Sequence, residues 1–167
     1  MIGPSRRLRR HATAGLLAIG LSIITAGLGS AAETVKVSIP AAIGFAVTNV
    51  SVATPGSPAS AAVSFSQLTV NSGRVLRISV KADSDFVPPG GAAIPASRLS
   101  WTTSSASNGS GSSGVLSTSV YGQVFQSASG KKAGGVNVSW SLAAPGTPLR
   151  AGTHTLTVRW KLESINP

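Results

Sequence analysis

Over residues 154–162 apolar and polar side chains alternate without a break, with Leu156, Val158, Trp160 and Leu162 on one side of an extended chain and Thr155, Thr157, Arg159 and Lys161 on the other. A period of two marks a strand with one buried face. The rhythm recurs over 135–142, where Val136, Val138, Trp140 and Leu142 point inward and Asn137, Ser139 and Ser141 outward. It recurs again where Leu76, Ile78 and Val80 alternate with Val75, Arg77, Ser79 and Lys81. Weaker patterns predict strands over 35–39, 45–52, 62–70, 98–103 and 115–125. The two Trp-bearing runs near the end of the chain, rich in large side chains and free of internal Pro, are expected at the centres of their sheets.

Turn chemistry separates these runs: Thr54-Pro55-Gly56-Ser57-Pro58, Asn71-Ser72-Gly73, Pro88-Pro89-Gly90-Gly91, Gly130-Lys131-Lys132 and Ala144-Pro145-Gly146-Thr147-Pro148. Gly supplies positive φ and Pro presets the first turn position, so each marks a reversal of the chain. No window after residue 32 carries the apolar stripe of a sizeable helix. About eight short strands closely punctuated by turns predict an all-β, antiparallel, immunoglobulin-like β-sandwich, with a small barrel as the alternative. The Gly/Ser-rich stretch 106–114 reads as a mobile hairpin loop.

The first 32 residues follow a different pattern. Arg6, Arg7, Arg9 and Arg10 precede an uncharged, largely apolar run, which closes on Ser30-Ala31-Ala32 ahead of Glu33. Basic, apolar and small-residue regions in that order predict a signal peptide over 1–32 and a single β-sandwich domain over 33–167. The uncharged stretch 12–32 is also long enough for a membrane anchor, which needs about 20 residues. Its Gly, Ser and Thr content and the small residues before Glu33 favour cleavage, so the expected location is secreted, periplasmic or at the cell surface, with no membrane attachment once the leader is gone.

Removing the leader takes four of the 14 basic residues and none of the four acidic ones, leaving ten against four and a net charge of +6 rather than +10. Apart from Lys131-Lys132 the ten are spread singly, unlike the dense basic patches that bind nucleic acid, and no nucleic-acid partner is expected. Cysteine is absent. That removes thiol nucleophiles and Cys-based metal sites, while 135 residues suffice for one core without disulfides.

Catalytic chemistry is sparse in 33–167. It offers one histidine, His154, and four carboxylates, Glu33, Asp83, Asp85 and Glu163. There is no Gly-x-Ser-x-Gly elbow to partner His154, which reads as a surface residue at a strand edge. Asp83 and Asp85 form the only close acidic pair; a glycosidase would need two carboxylates across a cleft, and a Ca²⁺ ion six to eight oxygens, more than Asp83-Ser84-Asp85 supplies alone. We therefore expect a non-enzymatic protein with no catalytic residues, metal ligands or cofactor. By phase Trp101, Trp140 and Trp160 belong to the core, whereas Tyr121 and Phe125 fall opposite Val120 and Val124, which makes Tyr121 and Phe125 the candidate contacts for a glycan.

Leu149-Arg150-Ala151-Gly152-Thr153-His154-Thr155-Leu156-Thr157-Val158 resembles the closing A-G-T-Y-x-x-x-V-x-V strand of fimbrial and spore-coat-U-like bacterial surface subunits. His154 stands at the Tyr position, and the cysteine pair common in those families is missing. The resemblance implies a sandwich completed by that strand, with an N-terminal alternating segment donated to a neighbour; here Val35, Val37 and Ile39 form such a segment. The expected function is that of an exported structural or adhesive protein acting through β-sandwich association, its partner a second copy, another surface subunit or a cell-surface polysaccharide. A carbohydrate-binding module is the alternative.

Overall fold

Val136, Val138, Trp140 and Leu142 are all buried along strand β9, Gly134–Leu142, and this strand is the middle of one of two antiparallel sheets. The computed structural model describes residues 32–145 and 151–167. Apart from Ala32 the predicted leader lies outside the described residues, as do the end of the 144–148 turn and Leu149-Arg150 of the resembling segment.

The remaining strands are β1 Thr34–Ser38, β2 Thr54–Pro55, β3 Ala61–Thr69, β4 Val75–Ala82, β5 Leu99–Ser107, β6 Gly109–Gly111, β7 Gly114–Val115, β8 Gly122–Ser127 and β10 Val158–Ile165. One sheet has the order β1-β3-β9-β5-β7, with β2 also paired to β9; the other runs β10-β4-β8-β6. No α-helix occurs among the described residues, only a 3₁₀ turn at Ala96–Arg98. The protein is an all-β antiparallel sandwich, as the alternation predicts.

The two sheets meet through their inward residues. Val63, Phe65, Trp101, Val136 and Val138 from the first face Ile78, Val80 and Phe125 from the second, all within one buried cluster. Phe65 and Phe125 join across the interface with ring centroids 5.8 Å apart, a tilted contact that suits the aromatic quadrupole. Trp101 and Trp140 sit side by side on paired strands, 5.6 Å apart and inclined by 50°. Trp101 is 2 % exposed, and its indole Nε1 donates to Ser112 O at 2.7 Å, so burying the ring leaves no polar atom stranded.

Four expectations about the strands change. The strand predicted from residue 154 begins at Val158, because β4 ends at Ala82 and the chain beyond it turns away; Thr155 keeps only an isolated bridge with Val87. Of the two Trp-bearing runs, β9 is central but β10 is an edge strand, so Trp160 is half-buried rather than enclosed. The segment 45–52 forms no strand, since the edge of β9 beyond Val138 is taken by Thr54–Pro55. The predicted strand 115–125 splits into β7 and β8 as the chain passes from one sheet to the other.

The Gly/Ser-rich stretch departs furthest from its reading. Rather than a free hairpin loop it is a corner that joins both sheets: β5 and β7 belong to the first, and β6 between them pairs with β8 in the second. Ser105 and Asn108 take positive φ to make the bends. Small residues are required because the backbone lies against core rings: a Cβ on Gly114 would come 2.6 Å from Trp101 Cζ2, and one on Gly122 2.6 Å from Trp101 Cη2. Composition that suits a linker here serves close packing.

Gly114→Ala and Gly122→Ala should each lower unfolding free energy by about 1–3 kcal/mol in urea titrations, the usual range for overpacking. Ser110→Ala, at an exposed site on β6, should stay within about 0.5 kcal/mol of the parent. The Ser112 amide, bonded to Val124 O at 2.9 Å, should exchange slowly; fast exchange there would restore the mobile-loop reading.

Candidate functional site

Tyr121 and Phe125 do not share a surface. β4 and β8 pair Val80 with Gly122 and Ser79 with Gln123, but the next pair is Ile78 with Phe125, so Val124 is an extra residue in a β-bulge. A bulge shifts the inside-outside phase by one. Phe125 therefore turns into the core and is fully buried, while Tyr121 stays on the outer face and half-exposed. Phe125 is withdrawn as a glycan contact.

Tyr121 is presented by a tight turn. The Ser117 hydroxyl accepts from the amides of Ser119 and Val120, each at 3.1 Å, the local side-chain bonding that makes Ser a turn former. The Ala82 amide donates to Ser117 O at 2.9 Å and ties the turn to the end of β4. These bonds fix where β8 begins, and so hold the tyrosine beside the lysines of β4 and β10.

Lys81 on β4 and Lys161 on β10 each place Nζ 5.4 Å from the Tyr121 ring centroid. Both lie on the outward side of their strands; the register sets Lys161 opposite Ser79 and Lys81 opposite Arg159. Ser79, small and 3 % exposed, forms the floor between them. Tyr121, Ser79 and Lys161, with Arg77, Val120 and Gln123, line an open depression of about 370 Å³, near the lower end of ligand-site volumes; Lys81 stands beside it across the Tyr121 ring.

The charges around it are unequal. Glu163 accepts from Arg77 Nη2 at 3.2 Å and from Lys161 Nζ at 2.7 Å, and Arg159 pairs with Asp83. Lys81 ion-pairs with no carboxylate among the described residues. Four cations, Arg77, Lys81, Arg159 and Lys161, thus stand against two carboxylates, and the face keeps an excess of positive charge. The Lys161 hydrogen bond, with the neighbouring Arg77, holds the Glu163 carboxyl below the ordinary glutamate range despite partial burial.

The second candidate region is the edge formed by β1. Val35, Val37 and Ile39 are half-buried against the core, and Val158, Trp160 and Leu162 of β10 are likewise only partly covered. β1 pairs with β3 alone, with an irregularity between Thr34 and Lys36. Glu33 anchors its start: Oε1 accepts from the Asn71 amide and from Ser164 Oγ, both at 3.0 Å, with Arg74 Nε at 3.9 Å. The Asn71 amide is the main reason the Glu33 carboxyl lies below its usual range, with Ser164 and Arg74 acting in the same direction.

The other acidic residues are kept apart. Asp83 goes to Arg159, while Asp85 Oδ1 accepts the Ala96 amide at 2.7 Å. No group of three or more His, Cys, Asp or Glu comes together among the described residues. His154 lies in the segment leading to the Val87–Thr155 bridge. What the sequence pattern did not reveal was Lys81 and Lys161 beside Tyr121: their outward phase is visible, but their shared ring depends on cross-strand register. No protein family, no curated protein and no solved structure matches this chain.

Both glutamates have folded-state values below their unfolded ones, so the stability they add is full above the ordinary glutamate range and is lost as pH falls through it. Unfolding free energy should decline from about pH 5 to about pH 3. In the double variant Glu33→Gln, Glu163→Gln that decline should be shallower in urea titrations at each pH; an unchanged slope would assign acid sensitivity to other groups.

Proposed function

We propose that this chain is an exported, non-enzymatic structural or adhesive protein of the periplasm or cell surface, directed there by a signal peptide over 1–32 and acting through association of its β-sandwich. The observation that carries the reading is the lateral edge where β1 and β10 lie. There the alternating apolar residues Val35, Val37 and Ile39 are half-buried on an edge strand that a single ladder holds to the rest of the fold. Such a strand can leave its own sheet and be replaced by the same strand of a neighbour at little net cost, because the incoming strand restores the same ladder and covers the same apolar surface. Its likeness to the fimbrial and spore-coat-U-like subunits points the same way.

A non-enzymatic role is supported by how the carboxylates of 33–167 are used. Glu33 joins Asn71, Ser164 and Arg74; Asp83 and Glu163 hold arginines and a lysine; Asp85 caps the Ala96 amide. Each serves a structural contact. A second reading, recognition of a surface polysaccharide, is favoured by Tyr121, an aromatic ring held on an outer sheet face among polar side chains.

In light scattering the chain lacking 1–32 should form species larger than a monomer, and deletion of 33–40 should abolish them. The deletion protein should capture a synthetic peptide of residues 33–40 and reject the same peptide carrying Val35→Asp and Val37→Asp. A chain that is monomeric before and after deletion, together with no peptide capture, would sink the association reading.

A further inference from the structure

We infer that the depression around Tyr121 binds a carboxylated sugar unit of an acidic polysaccharide, with the tyrosine ring against the C–H face of the sugar and Lys81 and Lys161 on its carboxylate. The inference rests on the second reading, polysaccharide recognition, and names the ligand class.

Both ammonium groups stand 5.4 Å from the centre of one ring, and of the two only Lys161 has a carboxylate among the described residues, Glu163, to offset its charge. An anion on this face gives Lys81 a partner of opposite charge. Glu163 does not close the site to anions, since Arg77 and Lys161 both neutralise it. The face therefore attracts negative charge beside Tyr121.

The remaining lining suits a sugar rather than a nucleic acid. Val120, 66 % exposed, extends the apolar surface next to Tyr121, and Ser119 and Gln123 offer hydroxyl and amide groups to ring hydroxyls. Four cations interrupted by two paired carboxylates do not form the continuous basic track that a chain with a charge at every phosphate needs. A uronic polymer carries one carboxylate per sugar, spaced by neutral hydroxyls. The site also lies on the outer face of the β10-β4-β8-β6 sheet, so a polymer can cross it without entering a closed pocket.

The test uses the chain lacking 1–32 and four probes in calorimetry: oligogalacturonate, its methyl ester, neutral dextran oligomers and oligothymidylate. The acid form should bind, the ester and dextran about tenfold or more weakly, and binding should fall with added salt. Lys81→Gln, Lys161→Gln and Tyr121→Ala should each weaken it about tenfold, whereas Tyr121→Phe should bind like the parent. Lys131→Gln with Lys132→Gln, on a distant exposed turn, should change nothing. Equal binding of acid and ester would overturn the acidic ligand while keeping carbohydrate recognition. Equal loss in the Lys131/Lys132 variant would reduce the effect to diffuse charge and overturn the site, and tighter binding of oligothymidylate would overturn it in favour of nucleic acid. Binding of no saccharide would overturn both this inference and the second reading, leaving strand association untouched. Unchanged melting temperatures show that the variants fold.

Discussion

The Trp101 indole is the constraint around which the two sheets are arranged. It is almost wholly buried, lies against Trp140 on the neighbouring strand, and is touched from the other side by the bare backbone at Gly114 and Gly122. Burying a ring of this size is worth several methylenes of apolar transfer, and truncating such a residue typically removes about 3–5 kcal/mol. Its Nε1 is satisfied by the Ser112 carbonyl, and that carbonyl belongs to the stretch crossing between the sheets. One side chain thereby fixes strand pairing in the first sheet, the approach of β8 from the second, and the path of the corner between them.

Inward and outward sorting was legible wherever a strand has one wet and one dry face. Val136, Val138, Trp140 and Leu142 alternate in sequence because each odd neighbour meets water, and their burial follows. Sheet position was not legible. β10 carries as strong a pattern as β9, yet a pattern reports which face is dry, not whether both edges are paired. The Gly/Ser stretch was misread for a related reason: absence of side chains signals freedom when the surroundings are solvent and close approach when they are aromatic rings, and the chain alone does not say which surrounds it.

The site shows the same limit at finer scale. Tyr121 and Phe125 are four residues apart, an even spacing that keeps two residues on one face only in an unbroken strand. One extra residue, Val124, inverts the relation and sends Phe125 inward to Phe65. Lys81, Lys161 and Tyr121 come from three segments, and the structure joins them through ladders whose register local sequence does not encode. The outward phase of each was visible; the assembly was not. Carboxylate use was half-visible in the same way, since Asp83 and Asp85 are neighbours in the chain but face different partners.

Glu33 and Ser164 lie 131 positions apart and share a hydrogen bond. That contact has a temporal meaning. A chain emerging from its N-terminal end exposes β1 first and β10 last, so Glu33 can meet Asn71 and Arg74 early while its contact with Ser164 waits for nearly the whole sequence. During that interval β1 is held on its β3 side alone, and loop closure over so long a separation is the slow kind of folding step. The order of synthesis thus gives β1 a period of openness to other chains that its place in the finished fold conceals.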